Sequence, residues 1–160
     1  MSISPTANPL TTDRDGLRSA VVPAGIATTF VTLGFTAWGV FWHGPGGHPQ
    51  EAREFYVVAG IVLVAAVAVY GLLLPKALRK ESAGGTALTL SLIAAVLLLP
   101  AFWSGLPLVL GVAGAFLGYA GRSASSGAGR STAGFVIGLL AVLGYVAIYV
   151  LDTLHQLGIG

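Results

Sequence analysis

The stretch LLLPAFWSGLPLVLG, Leu97 to Gly111, lies inside the longest uncharged run of this 160-residue chain and decides how often the chain doubles back. No charged residue occurs from Thr86 to Gly121. As one helix that run would be about 54 Å long, against a hydrocarbon core of roughly 30 Å. Cut at Trp103 to Gly105 it becomes two segments of about 17 residues, each at the short end of what spans a bilayer. Pro100 and Pro107 lack an amide donor, and Ser104 and Gly105 favour a turn. Phe102 and Trp103 are of the aromatic type enriched at membrane interfaces. The stretch therefore reads as a tight hairpin between two helices, with a broken helix that re-enters the membrane as the alternative.

The composition gives that reading its setting. Hydrophobic residues make up 55% of the chain and charged residues only 9%, whereas a soluble domain carries about 25% charged residues. The mean hydropathy is +0.85. This is the signature of an all-α integral membrane protein. Cysteine is absent, which excludes disulfides, thiolate metal sites and thiol redox chemistry. The net charge of +2 resides where membrane topology would place it and gives no argument for nucleic acid.

Working outward, residues 1–19 read as a flexible cytoplasmic tail, with Pro5, Pro9 and mixed charge. The predicted bundle occupies 20–155. Its spans are expected at about 20–42, 55–74, 86–102, 105–121 and 132–151, with 152–160 a short extracytoplasmic tail. The Gly- and Pro-rich loop His43 to Glu54 ends the first span, Pro75 ends the second, and Gly84 with Gly85 supplies a break before the third. Five spans place Arg14, Arg18, Lys76, Arg79, Lys80, Arg122 and Arg130 on one side and only Arg53 on the other. Four spans, with a broken third helix, divide the basic residues five to three. Cytoplasmic loops carry the excess of Lys and Arg, so five spans with the N-terminus in and the C-terminus out is the expected topology, in the bacterial plasma membrane.

Helices in lipid associate through close packing of small residues. Gly111, Gly114, Gly118 and Gly121 on the fourth span, and Gly134 and Gly138 on the fifth, predict that these two spans pack face to face. Lining a pore is the alternative role for the same glycines. Thr28, Thr29, Thr32 and Thr36 recur at helical spacing on the first span, where hydroxyls commonly bond to the carbonyl one turn back or to a neighbouring helix.

The segment GVAGAFLGYAGR, a short Gly- and Ser-containing linker and then GRSTAGFVIGLLAVLG resembles the two-helix hairpin of small actinobacterial multi-span membrane proteins of unknown function. In that pattern a glycine-rich span ends in a basic residue and an A-G-x-x-x-G opens the next. The resemblance covers only the C-terminal hairpin. It implies helix packing and a bacterial membrane, and carries no activity.

Candidate chemistry is sparse. No Asp, Glu, Lys or Arg falls within a predicted span, and proton relays and ion pathways usually depend on such residues. His43, His48, Glu51, Asp152 and His155 are the candidate metal ligands, because the five-span topology puts them on one face and their donor types suit a divalent ion. Their spacing matches no metal motif, so the ordinary reading is a solvated surface. No catalytic motif is present and no cofactor is expected. The function expected is that of a non-catalytic accessory, assembly or interaction subunit. Its partners are the lipid bilayer and a larger membrane complex or itself, not nucleic acid. A small uncoupled channel or carrier acting as an oligomer is the alternative.

Overall fold

The computed structural model describes residues 9–41, 52–79, 83–122 and 127–158. All regular structure among them is helical: α1 (Pro9–Phe41), α2 (Ala52–Ala66), a π-helical segment (Val67–Leu73), α3 (Leu74–Arg79), α4 (Ala83–Leu97), α5 (Leu106–Ala120) and α6 (Ala128–Gln156). Three stretches are long and apolar enough to cross a membrane: Gly16–Phe41, Arg53–Leu78 and Ala128–Gln156. The two remaining helices, α4 and α5, have 15 residues each, or about 22 Å at the α-helical rise.

The uncharged run is two helices joined by a turn. α4 ends at Leu97, earlier than the expected 102, because Pro100 restricts the residue before it and cannot donate to the helix. A single 3₁₀ turn follows over Phe102–Ser104. The Ser104 hydroxyl donates to the Ala101 carbonyl (2.6 Å) and accepts from the Leu106 amide (3.3 Å), which satisfies the start of α5. Gly105 adopts φ 70°, open to glycine at no cost, and a Cβ there would collide with the Thr32 methyl of α1.

Other boundaries also depart from the sequence expectation. α1 begins at Pro9, not near residue 20, since proline is well accommodated in a first helical turn and polar residues can extend a helix beyond an apolar span. α4 begins at Ala83 and runs through Gly84 and Gly85. Gly84 is a packing residue, with its Cβ position 2.7 Å from the Ser131 hydroxyl and 3.1 Å from the Gly127 carbonyl. α6 starts at Ala128, directly after Gly127 at φ 90°, and continues past 151 to Gln156. Finally, Pro75 does not end the second helix. α2, the π segment and α3 form one continuous rod, in which the Leu74 amide donates to the Val69 carbonyl five residues back. That wider turn gives the Pro75 ring room against the preceding carbonyl, where a regular α-helix would clash.

The π segment also turns Val69 and Tyr70 inward together. Tyr70 packs on Gly25 of α1, where a Cβ would come within 2.8 Å of the tyrosine Cβ and Cγ. Its hydroxyl lies 3.2 Å from Thr28 Oγ1 and 3.3 Å from the Val109 carbonyl of α5, and donates to both acceptors as a shared bond. The Thr28 hydroxyl proton is already committed to the Ala24 carbonyl at 2.8 Å.

The helices fall into two unequal parts. α4, α5 and α6 form a closely packed trio, with α5 antiparallel to the other two. α1 and the α2–α3 rod form a hairpin that leans on α5. The larger core cluster runs from Val62 and Leu74 of the rod to Val109 and Leu117 of α5, and the smaller gathers Tyr145 and Tyr149 of α6 around Leu108. Large apolar side chains face outward all round, including Phe30, Val64, Val96 and Leu140. Only 28%, 33% and 22% of the three long apolar windows are buried, so most of their surface must meet an apolar medium or another protein.

Candidate functional site

The trio is joined through small residues and the backbone itself. A Cβ on Gly118 of α5 would stand 2.5 Å from the Phe135 amide nitrogen and 2.6 Å from the Ser131 carbonyl of α6. One on Gly138 of α6 would stand 2.7 Å from the Gly111 carbonyl, and Gly121 abuts the Ser131 side chain. Gly114 and Gly134 turn elsewhere. Both face α4, against Ser91 and Ala87 in the first case and Ala87 and Leu88 in the second. The Ser91 hydroxyl, fully buried, donates to the Gly134 carbonyl at 2.6 Å. Ala87, Ser91 and Ala94 of α4 are thus a third small-residue surface. The i, i+4, i+7 spacing of these three is the sequence signal that locates it. With backbones this close, the space between α4, α5 and α6 is filled.

The threonines of α1 serve their own helix. Thr28, Thr29, Thr32 and Thr36 each donate to the carbonyl four residues back, at 2.7 to 2.9 Å. This satisfies the hydroxyls inside an apolar setting.

Open space lies between the hairpin and the trio. At the end of the bundle where α1 finishes, α2 begins and α6 finishes, a cavity of about 750 Å³ is lined by Thr36, Arg53, Glu54, Trp103, Asp152 and Gln156, among others. Asp152 accepts a hydrogen bond from Gln156 Nε2 at 2.9 Å, a one-turn pairing along α6. Beside this cavity, a groove of about 440 Å³ runs between α1 and α6, walled by Val31, Gly34, Phe35 and Trp38 on one side and Val150 and Leu154 on the other. Tyr149 lines both spaces. It also anchors an aromatic cluster, with ring centroids 5.0 Å from Tyr145, 5.2 Å from Phe35 and 6.2 Å from Phe102. The Tyr145 hydroxyl is buried in this cluster with no hydrogen-bond partner among the described residues.

Of the candidate metal ligands, His43, His48 and Glu51 lie outside the described residues. Asp152 and His155 are both exposed near the end of α6. Among the described residues no group of three His, Cys, Asp or Glu could hold an ion. The charged cavity that Asp152 does line, with Arg53 and Glu54, was not anticipated from sequence. These residues are far apart in the chain, and only the antiparallel course of the helices brings them to one end.

At the opposite end Arg122, closing α5, places its guanidinium 3.9 Å over the Phe135 ring of α6, a cation–π contact that fastens the last turn of the trio. No known protein family, no curated protein and no solved structure matches this chain.

Proposed function

We propose that the chain is a non-catalytic multi-pass protein of the bacterial plasma membrane. It crosses the bilayer five times, with its N-terminus in the cytoplasm and its C-terminus outside. Its work is that of an accessory, assembly or interaction subunit, packing laterally against a larger membrane protein or copies of itself. The observation that carries this reading is the contrast between inside and outside. The α4–α6 trio is closed by backbone contact at Gly118, Gly138 and Ser91, while large apolar side chains such as Phe30 (73% exposed) and Val96 (73%) project outward. Shape-fitted, small-residue cohesion is how helices associate where burial from water is no longer the driving force.

α4 and α5 are short for spanning, and fit five crossings where the bilayer thins around them or where Trp103 and the loop residues reach the interface. The channel reading requires a path between copies, since the interior of the trio is filled. The deciding measurement is the stoichiometry of the full chain purified in mild detergent. A fixed-ratio complex with a second membrane protein, or a defined homo-oligomer that passes no ions in liposomes, supports the subunit reading. A homo-oligomer that conducts would replace it with the channel.

A further inference from the structure

We propose that the end cavity and the α1–α6 groove together form a binding site for one zwitterionic phospholipid. Its phosphate and ammonium occupy the cavity, and one acyl chain occupies the groove. This rests on the membrane reading above and names what such a protein would hold.

The two spaces differ in chemistry in the way the two halves of a phospholipid differ. Among the described residues the cavity presents one cation, Arg53, two carboxylates, Glu54 and Asp152, and the indole side chain of Trp103. A phosphate is suited to the guanidinium, and an ammonium to the carboxylates and the indole. The groove is walled mainly by Val31, Gly34, Phe35, Trp38, Val150 and Leu154, with Thr153 beside them; it offers an alkyl chain contact and carries no ionised side chain in its lining. They adjoin at Tyr149, whose ring borders the groove and whose position near the end of α6 borders the cavity.

Depth agrees with this assignment. The charged residues lie at helix ends, Arg53 and Glu54 in the first turn of α2 and Asp152 in the last turns of α6. The groove extends from there along α1 to Val31. From Val40 in the cavity to Val31 in the groove is about 13 Å along the helix. A lipid lying parallel to its neighbours, head at the interface and chain inward, meets the two spaces in that order.

The charges also choose among lipids. An anionic head such as phosphatidylglycerol would satisfy Arg53 but leave Glu54 and Asp152 facing a phosphate with no ammonium to offset them. A head with both signs engages all three. The groove itself is real free space at Gly34, where an added Cβ meets nothing within 4 Å.

The test uses the full chain. Retention in carbonate-washed membranes is measured first. The protein purified in mild detergent is then presented with equal amounts of dioleoyl-phosphatidylethanolamine and dioleoyl-phosphatidylglycerol, and bound lipid is counted by native mass spectrometry. One phosphatidylethanolamine per chain is expected, favoured about tenfold over phosphatidylglycerol, the scale of one charge-assisted contact. Gly34→Phe, which fills the groove, should lose that lipid while keeping its melting temperature. If that variant is destabilised, Val150→Trp on the facing wall serves instead. Glu54→Gln with Asp152→Asn should keep a lipid but abolish the preference. Soluble phosphoethanolamine should fail to displace the lipid, because it lacks the chain. Equal retention of the two lipids by the natural chain, undiminished binding in the groove-filling variant, or displacement by phosphoethanolamine overturns the proposal. Release of the chain by carbonate would overturn the membrane reading itself, whereas a chain that stays in the membrane and shows no lipid preference sinks only the lipid site.

Discussion

Gly118 of α5 and Phe135 of α6 approach so closely that a Cβ on the glycine would stand 2.5 Å from the Phe135 amide nitrogen. The obstacle is backbone, which cannot swing aside as a side chain can. The two helices are therefore fixed by the absence of a side chain at this point, and larger residues must push them apart.

Gly118→Leu and Gly138→Leu should each lower the melting temperature in detergent, with overpacking costing about 1 to 3 kcal/mol. Gly60→Leu is the matched control, because nothing stands within 4 Å of its Cβ position. Equal tolerance at all three positions would remove the close seam from the account of stability.

Ser91→Ala deletes the hydrogen bond to the Gly134 carbonyl without adding volume. The expected loss is about 0.6 kcal/mol, the average for a hydroxyl bond between helices in a membrane. Ser91→Leu should cost several times more, since Gly114 already abuts this side chain. Chemical denaturation of the detergent-solubilised protein would separate the two. A leucine variant as stable as the alanine one would count against tight packing of α4.

The two buried tyrosines should respond oppositely to loss of their hydroxyls. Tyr70→Phe removes a donor shared between Thr28 and Val109 and should destabilise by about 1 kcal/mol. A double-mutant cycle with Thr28→Val should show the pair to be coupled. Tyr145→Phe removes a buried hydroxyl that has no partner among the described residues and should be neutral or stabilising, by up to about 1 to 3 kcal/mol. Paired melting curves decide the matter, and destabilisation by Tyr145→Phe would mean that its hydroxyl is bonded in solution.

A topology reporter inserted at Gly127 should face the cytoplasm, and one fused after Gly160 should face outward. Both follow from the distribution of Lys and Arg. A cytoplasmic signal from the C-terminal fusion would reduce the crossings to an even number and make the α4–α5 hairpin re-entrant.

Much of the helix order was legible because the relevant signals are local. Pro100, Gly105 and Pro107 mark a turn whatever surrounds them, and an uncharged run too long for one crossing demands one. Pro75 misled because its meaning is not local. A π turn one step earlier absorbs the ring, and Tyr70 gains a place against Gly25 from the same distortion. The glycines of α5 and α6 were recognisable as packing residues, but two of them face α4. Ala87, Ser91 and Ala94 carry a signal in their i, i+4, i+7 spacing, but it stands out from apolar filler only when three helices are considered together. The mixed-charge cavity was invisible for the plainest reason, since Arg53 and Asp152 are separated by almost a hundred positions and nothing but the fold relates them.

The lean of the α1–α2 hairpin on α5 also imposes a timetable. A ribosome delivers the chain from its N-terminus, so, on the membrane reading proposed above, the hairpin would enter the bilayer well before the helix it rests on has been made. Until then the Thr28 and Tyr70 hydroxyls have each other, while the Val109 carbonyl and the pocket that receives Gly105 against Thr32 are not yet built. The early half of this protein must wait for the late half, and a nascent chain released before α5 would leave a pair of helices open on the side where the trio should stand.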